Sequence, residues 1–282
     1  MTDELSAAWD RHADTYGRLF APLTGFAARA MVSIAAPRLR PDASVLDIAC
    51  GTGGLTVPAV ERALRLGAGR VTATDFSPVM VEHTRRAVAA LGAGEPTVRC
   101  EVHDGEALGF PDASFDAALS CFGIFLFRDR RAGRREAARV LRPGGTFATA
   151  VWMGPTDNAM LRHQMEPVGR ALPPRLQRPP PKGTWQEVST ADALAAEVTE
   201  AGAFRDARVY PMRMTFAVGA WAELWDAMRD NPVMGAVLAQ CDDDELARVR
   251  ESVLGRFREL AGGDHQPLLM EAACNVLVAT RA

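Results

Sequence analysis

The sequence predicts an α/β fold: a Rossmann-like, doubly wound sheet, mostly parallel with a last antiparallel strand, preceded by N-terminal helices and broken by helical lid insertions. Three observations predict it. Short apolar runs alternate with amphipathic ones from Ser44 to Trp152. A glycine-rich turn follows the first apolar run directly. An acid stands at the end of each of the first three runs, at Asp47, Asp75 and Asp104. Strands alternating with helices give a parallel sheet covered on both faces. Ligands of such sheets bind outside the carboxyl ends of the strands, where these acids would gather.

The elements follow in order. Trp9, His12, Tyr16, Leu19, Phe20 and Leu23 recur at steps of three and four, so the first 40 residues read as helical. Pro37 and Pro41 close that region. Ser44 to Ile48 is the first strand, and a helix runs from about Gly54 to Leu66, stopped by Gly67. Arg70 to Thr74 is the second strand. Ser77-Pro78 starts the next helix, serine as N-cap and proline in the first turn, and it runs to about Leu91. Thr97 to Val102 and Phe115 to Ser120 are strands three and four. A basic helix spans about Arg130 to Val140. Arg142-Pro143-Gly144-Gly145 is a turn, and Thr146 to Trp152 is strand five. The rhythm breaks from Pro155 to Pro181, a proline-rich insertion or lid. Ala191 to Ala201 is a helix, Ala207 to Phe216 a strand, Ala220 to Arg229 and Asp243 to Leu260 helices, and Glu271 to Thr280 a last strand. No linker separates two domains, so 1–282 reads as one.

Composition excludes several classes. The chain is 48% hydrophobic and 24% charged, which rules out low-complexity disorder and coiled coil. A net charge of -3 gives no overall field toward nucleic acid or anionic lipid. Seven arginines between Arg128 and Arg142 read as a solvated helix face, because Asp129 and Glu136 interrupt them. The longest apolar run, Ala117 to Phe127, is far short of the about 20 residues a membrane-spanning helix needs, so no span is expected. Cys50, Cys100, Cys121, Cys241 and Cys274 show no metal-ligand or redox spacing; they read as reduced thiols in a cytoplasmic chain, with no metal.

The segment Val45-Leu46-Asp47-Ile48-Ala49-Cys50-Gly51-Thr52-Gly53-Gly54 carries the most information. Missing side chains let a ligand approach the backbone, and a helix N-terminus supplies free N–H groups. Thr56 stands where the dinucleotide pattern wants its third glycine, which argues against a nicotinamide-dependent dehydrogenase. Asp75 follows Gly51 by 24 residues, near the spacing at which a carboxylate accepts two hydrogen bonds from a ribose diol. The plainer alternative is an acid that caps a helix or turn.

These residues resemble class I S-adenosylmethionine-dependent methyltransferases. Val45 to Gly54 is similar to their first motif, and Asp75-Phe76-Ser77-Pro78-Val79-Met80 to the second. The run from Asp104 to Asp116 is similar to the third, and Ser120-Cys121-Phe122-Gly123 stands at a cofactor-contacting loop. Leu141-Arg142-Pro143-Gly144-Gly145 matches the turn before strand five. The branch that includes ubiquinone/menaquinone-biosynthesis and many natural-product methyltransferases is the most alike. The resemblance covers roughly residues 42 to 152 and implies S-adenosylmethionine as cofactor. It implies that Ala49, Cys50, Gly51, Thr52 and Gly53 contact the cofactor's amino acid portion, with Asp47 ordering the turn. It places Asp75 on the ribose and Phe76 and Met80 on the faces of the adenine. Asp104, Gly105 and Glu106 would lie at the adenine edge, and Cys121 and Phe122 beside the cofactor. Cys121 replaces a polar residue common in similar chains, which leaves a backbone contact there. Tyr16 is either plain helix packing or a lid over the cofactor. On this reading 1–40 is a helical lid, 42–152 the cofactor-binding core, and 153–190 and 217–266 acceptor-side insertions.

Methyl transfer from a sulfonium is an in-line displacement that needs alignment and water exclusion, and a base only where the acceptor must lose a proton. Among the histidines, His83, His103 and His265 read as structural or loop residues. His12 and His163 lie in segments that should cover the cleft, and His163 is the first choice of base. Trp152 is a core residue or a wall of the acceptor pocket. The expected substrate is a small, hydrophobic, cyclic molecule of natural-product or quinone-like type. The alternatives are an RNA or protein methyltransferase, or a cofactor-binding protein or cyclase on the same fold.

Overall fold

In the computed structural model, which describes residues 3–177, 184–219, 221–264 and 266–282, seven strands form one sheet in the order β3-β2-β1-β4-β5-β7-β6. The strands are β1 (Ser44–Ile48), β2 (Arg70–Asp75), β3 (Val98–Val102), β4 (Phe115–Cys121), β5 (Leu141–Trp152), β6 (Phe204–Val218) and β7 (Leu268–Arg281). The first five are parallel, and β7 is antiparallel to both β5 and β6. This is the expected doubly wound sheet. Chain order reverses between β1 and β4, so the glycine turn after β1 lies at the topological switch point, where open α/β sheets bind ligands.

The helices are α1 (Asp3–Leu19), α2 (Ala21–Ala35), α3 (Thr56–Leu66), α4 (Pro78–Ala89), α5 (Arg130–Val140), α6 (Ala159–Ala171), α7 (Ala191–Thr199), α8 (Trp221–Asp230), α9 (Gly235–Leu238) and α10 (Asp243–Ala261). Their ends obey local chemistry. Gly67, at φ +60°, closes α3 in the left-handed region that glycine adopts without penalty. The Ser77 hydroxyl accepts the Met80 N–H at the start of α4, with Pro78 in the first turn. Asp242 and Glu245 form a reciprocal capping box on α10. The N-terminal pair α1 and α2 bends by 78° at their junction. Among the described residues, no single helix is long and apolar enough to cross a membrane.

Burial follows the layers. Val45, Leu46, Asp47 and Ile48 of β1 are all buried, as a strand covered on both faces requires. The last two strands, of 15 and 14 residues, are at least twice as long as each of the first four. β7 leaves β5 at the Trp152–Cys274 pair, while its pairing with β6 continues from Arg213–Ala273 to Val218–Leu268. A two-stranded ribbon therefore runs on past the sheet. Leu268, Met270 and Ala272 on one of its faces are buried, whereas Leu269 on the other is 67% exposed. Helices α6, α8 and α10 pack together beside it.

Several expectations need correction. The Arg142–Gly145 turn lies within β5: pairing with β4 jumps from Phe115–Leu141 to Ala117–Thr146, a bulge that Gly144 permits at φ +78°. The proline-rich stretch contains a full helix, α6, which tolerates Pro167 in its interior and is capped by the Asn158 side chain. The helix after the glycine turn starts at Thr56 rather than Gly54, because the turn takes up the intervening residues. The arginines of α5 are not simply a solvated face. Arg130 and Arg134 are buried, and both pair with Glu197 of α7, at 2.7 Å each. Arg139 spans Glu136 and Asp112. Residues 178–183 of the proline-rich stretch, Ala220 at the expected start of a helix, and His265 lie outside the described residues.

Candidate functional site

The turn between β1 and α3 is forced into shape by three left-handed residues in five, Ala49 at φ +59°, Gly51 at +55° and Gly53 at +94°. Side-chain hydrogen bonds clamp it from below. The Thr56 hydroxyl donates to Asp47 Oδ2 at 2.6 Å, and the Thr74 hydroxyl donates to the Asp47 carbonyl at 3.1 Å. Asp47 Oδ1 is buried and has no partner among the described residues. Burial, with Asp75 nearby, pushes the Asp47 carboxyl up to about 7 against the Thr56 hydrogen bond.

Asp75 closes β2 on the other side of the turn. Its Oδ2 accepts the Gly51 N–H at 2.9 Å and its Oδ1 the Ser77 N–H at 3.0 Å. Burial still raises its carboxyl to about 6. Two buried carboxylates therefore bracket one glycine turn. The Thr84 hydroxyl of α4 donates to the Gly51 carbonyl at 2.8 Å and holds the far side.

The two glycines differ in purpose. A Cβ on Gly53 would stand 3.4 Å from the Thr84 backbone, so that glycine serves packing against α4. A Cβ on Gly51 would meet only the Tyr16 ring, at 3.9 Å. Tyr16 thus lies on the approach to the turn, as a lid residue would. Its hydroxyl donates to Thr24 of α2 at 3.3 Å, and its ring stacks on Phe20. Burial pushes the Tyr16 phenol up to about 12, so it stays neutral.

Helix α1 is strapped across this end of the sheet. The Ser6 hydroxyl donates to the Phe76 carbonyl, the Ser77 hydroxyl to Asp10, and His83 pairs with Asp14 at 3.1 Å. The spacing of 6, 10 and 14 puts these anchors on one stripe of the helix. Trp9, His12 and Tyr16 occupy another stripe, in edge contact with one another.

The remaining predicted residues are placed as follows. Phe76 is half-buried and Met80 fully buried, on the first turn of α4. Asp104 accepts the Glu106 N–H at 2.9 Å, and Glu106 accepts the Asp129 N–H ahead of α5. Gly105 is held beneath Phe127, whose ring would lie 2.5 Å from an added Cβ. The Cys121 thiol points at the Thr24 carbonyl at 3.9 Å, and the Phe122 N–H is used by the Ala150 carbonyl. Phe122, at φ +60°, stacks on Trp152 with centroids 3.9 Å apart, so Trp152 is tied to the rim of the site. Cys50 and Thr52 lie in the turn itself, Cys50 buried beneath the Thr84 hydroxyl.

His163 is not brought to these residues. It stands on α6 against α10, with Nδ1 3.3 Å from the Arg256 guanidinium. Partial burial and that guanidinium lower its basicity. His12 is fully buried in the aromatic stripe of α1. Sequence reasoning missed Thr24, Thr84, Ser6, Asp10 and Asp14. Thr84, Ser6, Asp10 and Asp14 act through hydrogen bonds or ion pairs to residues far along the chain, and Thr24 through the Tyr16 hydroxyl eight residues away, and no local pattern announces a hydroxyl or carboxylate of that kind.

The residues fit a ligand with a ribose diol and a positive centre. Asp75 offers a carboxylate at ribose spacing, Asp47 and Asp75 favour a cation in a buried place, and Phe76 and Met80 offer apolar surface for a purine. Among the described residues, no three His, Cys, Asp or Glu side chains gather as metal ligands.

Comparison with known proteins bears on the same stretch. A family profile described as a methyltransferase domain matches residues 45–145. A demethylmenaquinone methyltransferase of Deinococcus radiodurans is 40% identical over 101 residues, 36% of this chain and 39% of that one. The methyltransferase tpcH of Aspergillus fumigatus is 30% identical over 149 residues, 52% of this chain and 49% of the relative. The match thus spans about two-fifths to a half of the length of these curated relatives. The solved structure of the YcgJ protein from Bacillus subtilis superposes with a TM-score of 0.59 at 17% identity, covering 91% of this chain and 98% of that one, which is a likeness of fold.

Proposed function

We propose that this chain, whose residues 45–145 are a class I S-adenosylmethionine-dependent methyltransferase domain, moves a methyl group from that cofactor to a small, hydrophobic, ring-containing acceptor. The observation that carries the reading is the pair of buried carboxylates, Asp47 and Asp75, around the glycine turn. A buried carboxylate with an oxygen left unpartnered is costly unless its ligand supplies compensation. S-adenosylmethionine brings a diol, an amino group and a sulfonium, and when bound it supplies the methyl group.

The chain's own tasks are then positional. Asp75 holds the ribose while continuing to fix the Gly51 and Ser77 N–H groups. Gly51, flanked by Ala49, Cys50 and Thr52, gives the amino acid portion close access to the backbone. Phe76 and Met80 pack the purine, with Asp104, Gly105 and Glu106 at its edge. Tyr16 covers the turn and excludes water, while Cys121 and Phe122 form the rim shared with Trp152. The sulfonium charge disappears as the methyl moves, so a dry site favours the transition state.

The acceptor side supports the substrate class. Eight of the eleven methionines follow Trp152 in the chain, and Met160, Met214, Met228 and Met270 are buried there. Thioether side chains fill irregular space and adapt to apolar ligands. The demethylmenaquinone methyltransferase relative agrees with this choice, and we place the activity in the cytoplasm. Titration calorimetry with S-adenosylhomocysteine should give micromolar affinity and none for NAD. Transfer of labelled methyl should then follow with quinone- or phenol-type acceptors. A protein that binds NAD but not S-adenosylhomocysteine would overturn the reading.

A further inference from the structure

His12 is the one imidazole on the aromatic stripe that covers the turn. It is 0% exposed, and neither Nδ1 nor Nε2 has a hydrogen-bond partner among the described residues. Its ring is walled by Trp9 at 5.8 Å, Tyr16 at 6.1 Å and Phe20 at 6.1 Å between centroids. An unsatisfied buried polar group costs about 1–3 kcal/mol, which a phenylalanine at this place would avoid. Packing alone therefore does not account for a histidine here.

Its position is specific. Tyr16, one turn along α1, lies on Gly51. The stripe that binds α1 to α4 runs through Ser6, Asp10 and Asp14, and His12 is not on it. The charged group that acts on His12 is Asp230 at the end of α8, itself paired with Arg229. His163, the other candidate, is half-buried and already faces Arg256.

We propose that His12 accepts the proton of a phenol-type hydroxyl on the acceptor, so that the reaction is O-methylation; this rests on the methyl-transfer reading above. Burial lowers the basicity of His12, so it is neutral, and able to receive a proton, at neutral pH. In the step, the hydroxyl proton passes to an imidazole nitrogen. The oxygen lone pair forms the bond to the methyl carbon, and the carbon–sulfur pair stays on sulfur as a neutral thioether. One positive charge is present before and after, moved from sulfonium to imidazolium, where Asp230 offsets it. Reopening of the site returns the proton to water.

The test uses the full chain loaded with S-adenosylhomocysteine, its histidine rings labelled for NMR, and two probes, 1-naphthol and naphthalene. The His12 signal is identified as the one missing in His12→Phe. It should shift with 1-naphthol and not with naphthalene. His12→Phe should bind 1-naphthol about tenfold more weakly, bind naphthalene no more weakly, and melt no lower than the parent. His12→Gln, which keeps a hydrogen-bond acceptor, should recover part of the 1-naphthol affinity but no transfer of labelled methyl to it. The inference falls if the His12 signal ignores the hydroxyl, if 1-naphthol affinity is unchanged in His12→Phe, or if that variant melts well below the parent. Loss of S-adenosylhomocysteine binding by the parent protein would instead sink the methyl-transfer reading. Normal S-adenosylhomocysteine binding with no hydroxyl response would sink only the role of His12.

Discussion

The two ends of the ligand-facing edge are built on opposite principles. Around β1 and β2, short strands end in a turn whose geometry is over-determined. Asp47, Asp75, Thr56, Thr74 and Thr84 each hold a backbone or side-chain group in place. Around the β6–β7 ribbon and helices α6, α8 and α10, the buried side chains include methionine, tryptophan and phenylalanine, and Gln164 Nε2 and Asn275 Oδ1 have no hydrogen-bond partner among the described residues. A ligand that never changes rewards preorganised donors and acceptors, which lose little entropy on binding. An acceptor that differs from enzyme to enzyme rewards an apolar surface that can repack.

The sharpest way to break this contrast is at Gly51. Gly51→Val should abolish measurable S-adenosylhomocysteine binding, a loss of at least about a hundredfold, because the added methyls project toward Tyr16 where the ligand must come. The φ of +55° adds a strain of about 1–2 kcal/mol, so the variant should still fold but melt lower. Normal binding would mean that the turn is not at the cofactor.

Asp75→Ala comes next. Losing two charge-assisted hydrogen bonds is worth roughly 2–3 kcal/mol, or about 30- to 150-fold in affinity by calorimetry. The same change strands the Gly51 and Ser77 N–H groups, so Asp75→Asn, which keeps one acceptor, should be less destabilised. If Asp75→Ala binds S-adenosylhomocysteine as the parent does, Asp75 is only a cap.

The other end should answer differently. Met214→Leu in the ribbon should leave S-adenosylhomocysteine affinity within about twofold, since near-isosteric apolar swaps are well tolerated. It should change the ratio of rates between a small and a large acceptor by several-fold. A variant that instead loses cofactor affinity would show that the two ends are not separable.

The same contrast explains what could be read from the chain. The order Val45–Gly54, Asp75, Asp104 is local: each acid stands at a strand end within a few residues of the turn it serves, so spacing alone locates it. Ser77 as cap of α4 and Gly67 as stop of α3 are local in the same way. Helix α1 is held by contacts between residues up to 205 positions apart, such as Arg18 with Glu223. Nothing near His163 revealed that Arg256 would occupy its ring nitrogen. The helix α6 was hidden by Pro167 inside it and by the prolines around it, although the Asn158 cap was available to mark its start. The buried pairing of Arg130 and Arg134 with Glu197 depends on α7 folding back over α5, which a charge count along one helix cannot disclose.

The last effect concerns pH, and it isolates Asp47. In the folded, cofactor-free chain, burial raises this carboxyl from 3.8 to about 7. A folded-state value above the unfolded one means that the native protein binds the extra proton between these limits. Its contribution to stability is therefore complete below about pH 3.8 and is lost as pH rises through about 7. Asp75, raised to about 6, acts in the same direction, and His12, lowered by burial, acts in the opposite one, losing stability as pH falls below 6.5. Melting temperatures of the parent alone would mix all three. Asp47→Asn removes one of them, since its carboxamide still accepts the Thr56 hydroxyl but takes no proton. Relative to the parent, the variant should gain melting temperature between pH 5 and pH 8. Each kcal/mol of that gain appears as about 2–4 °C in a chain of this size. Saturating S-adenosylhomocysteine should change the difference, because on the proposed reading the ligand's amino group would lie beside the turn and favour the charged carboxylate. A gap between variant and parent that stays constant from pH 5 to pH 8 would show that Asp47 is ionised throughout. The buried pair would then be stabilised by the turn alone, without need of a cationic ligand.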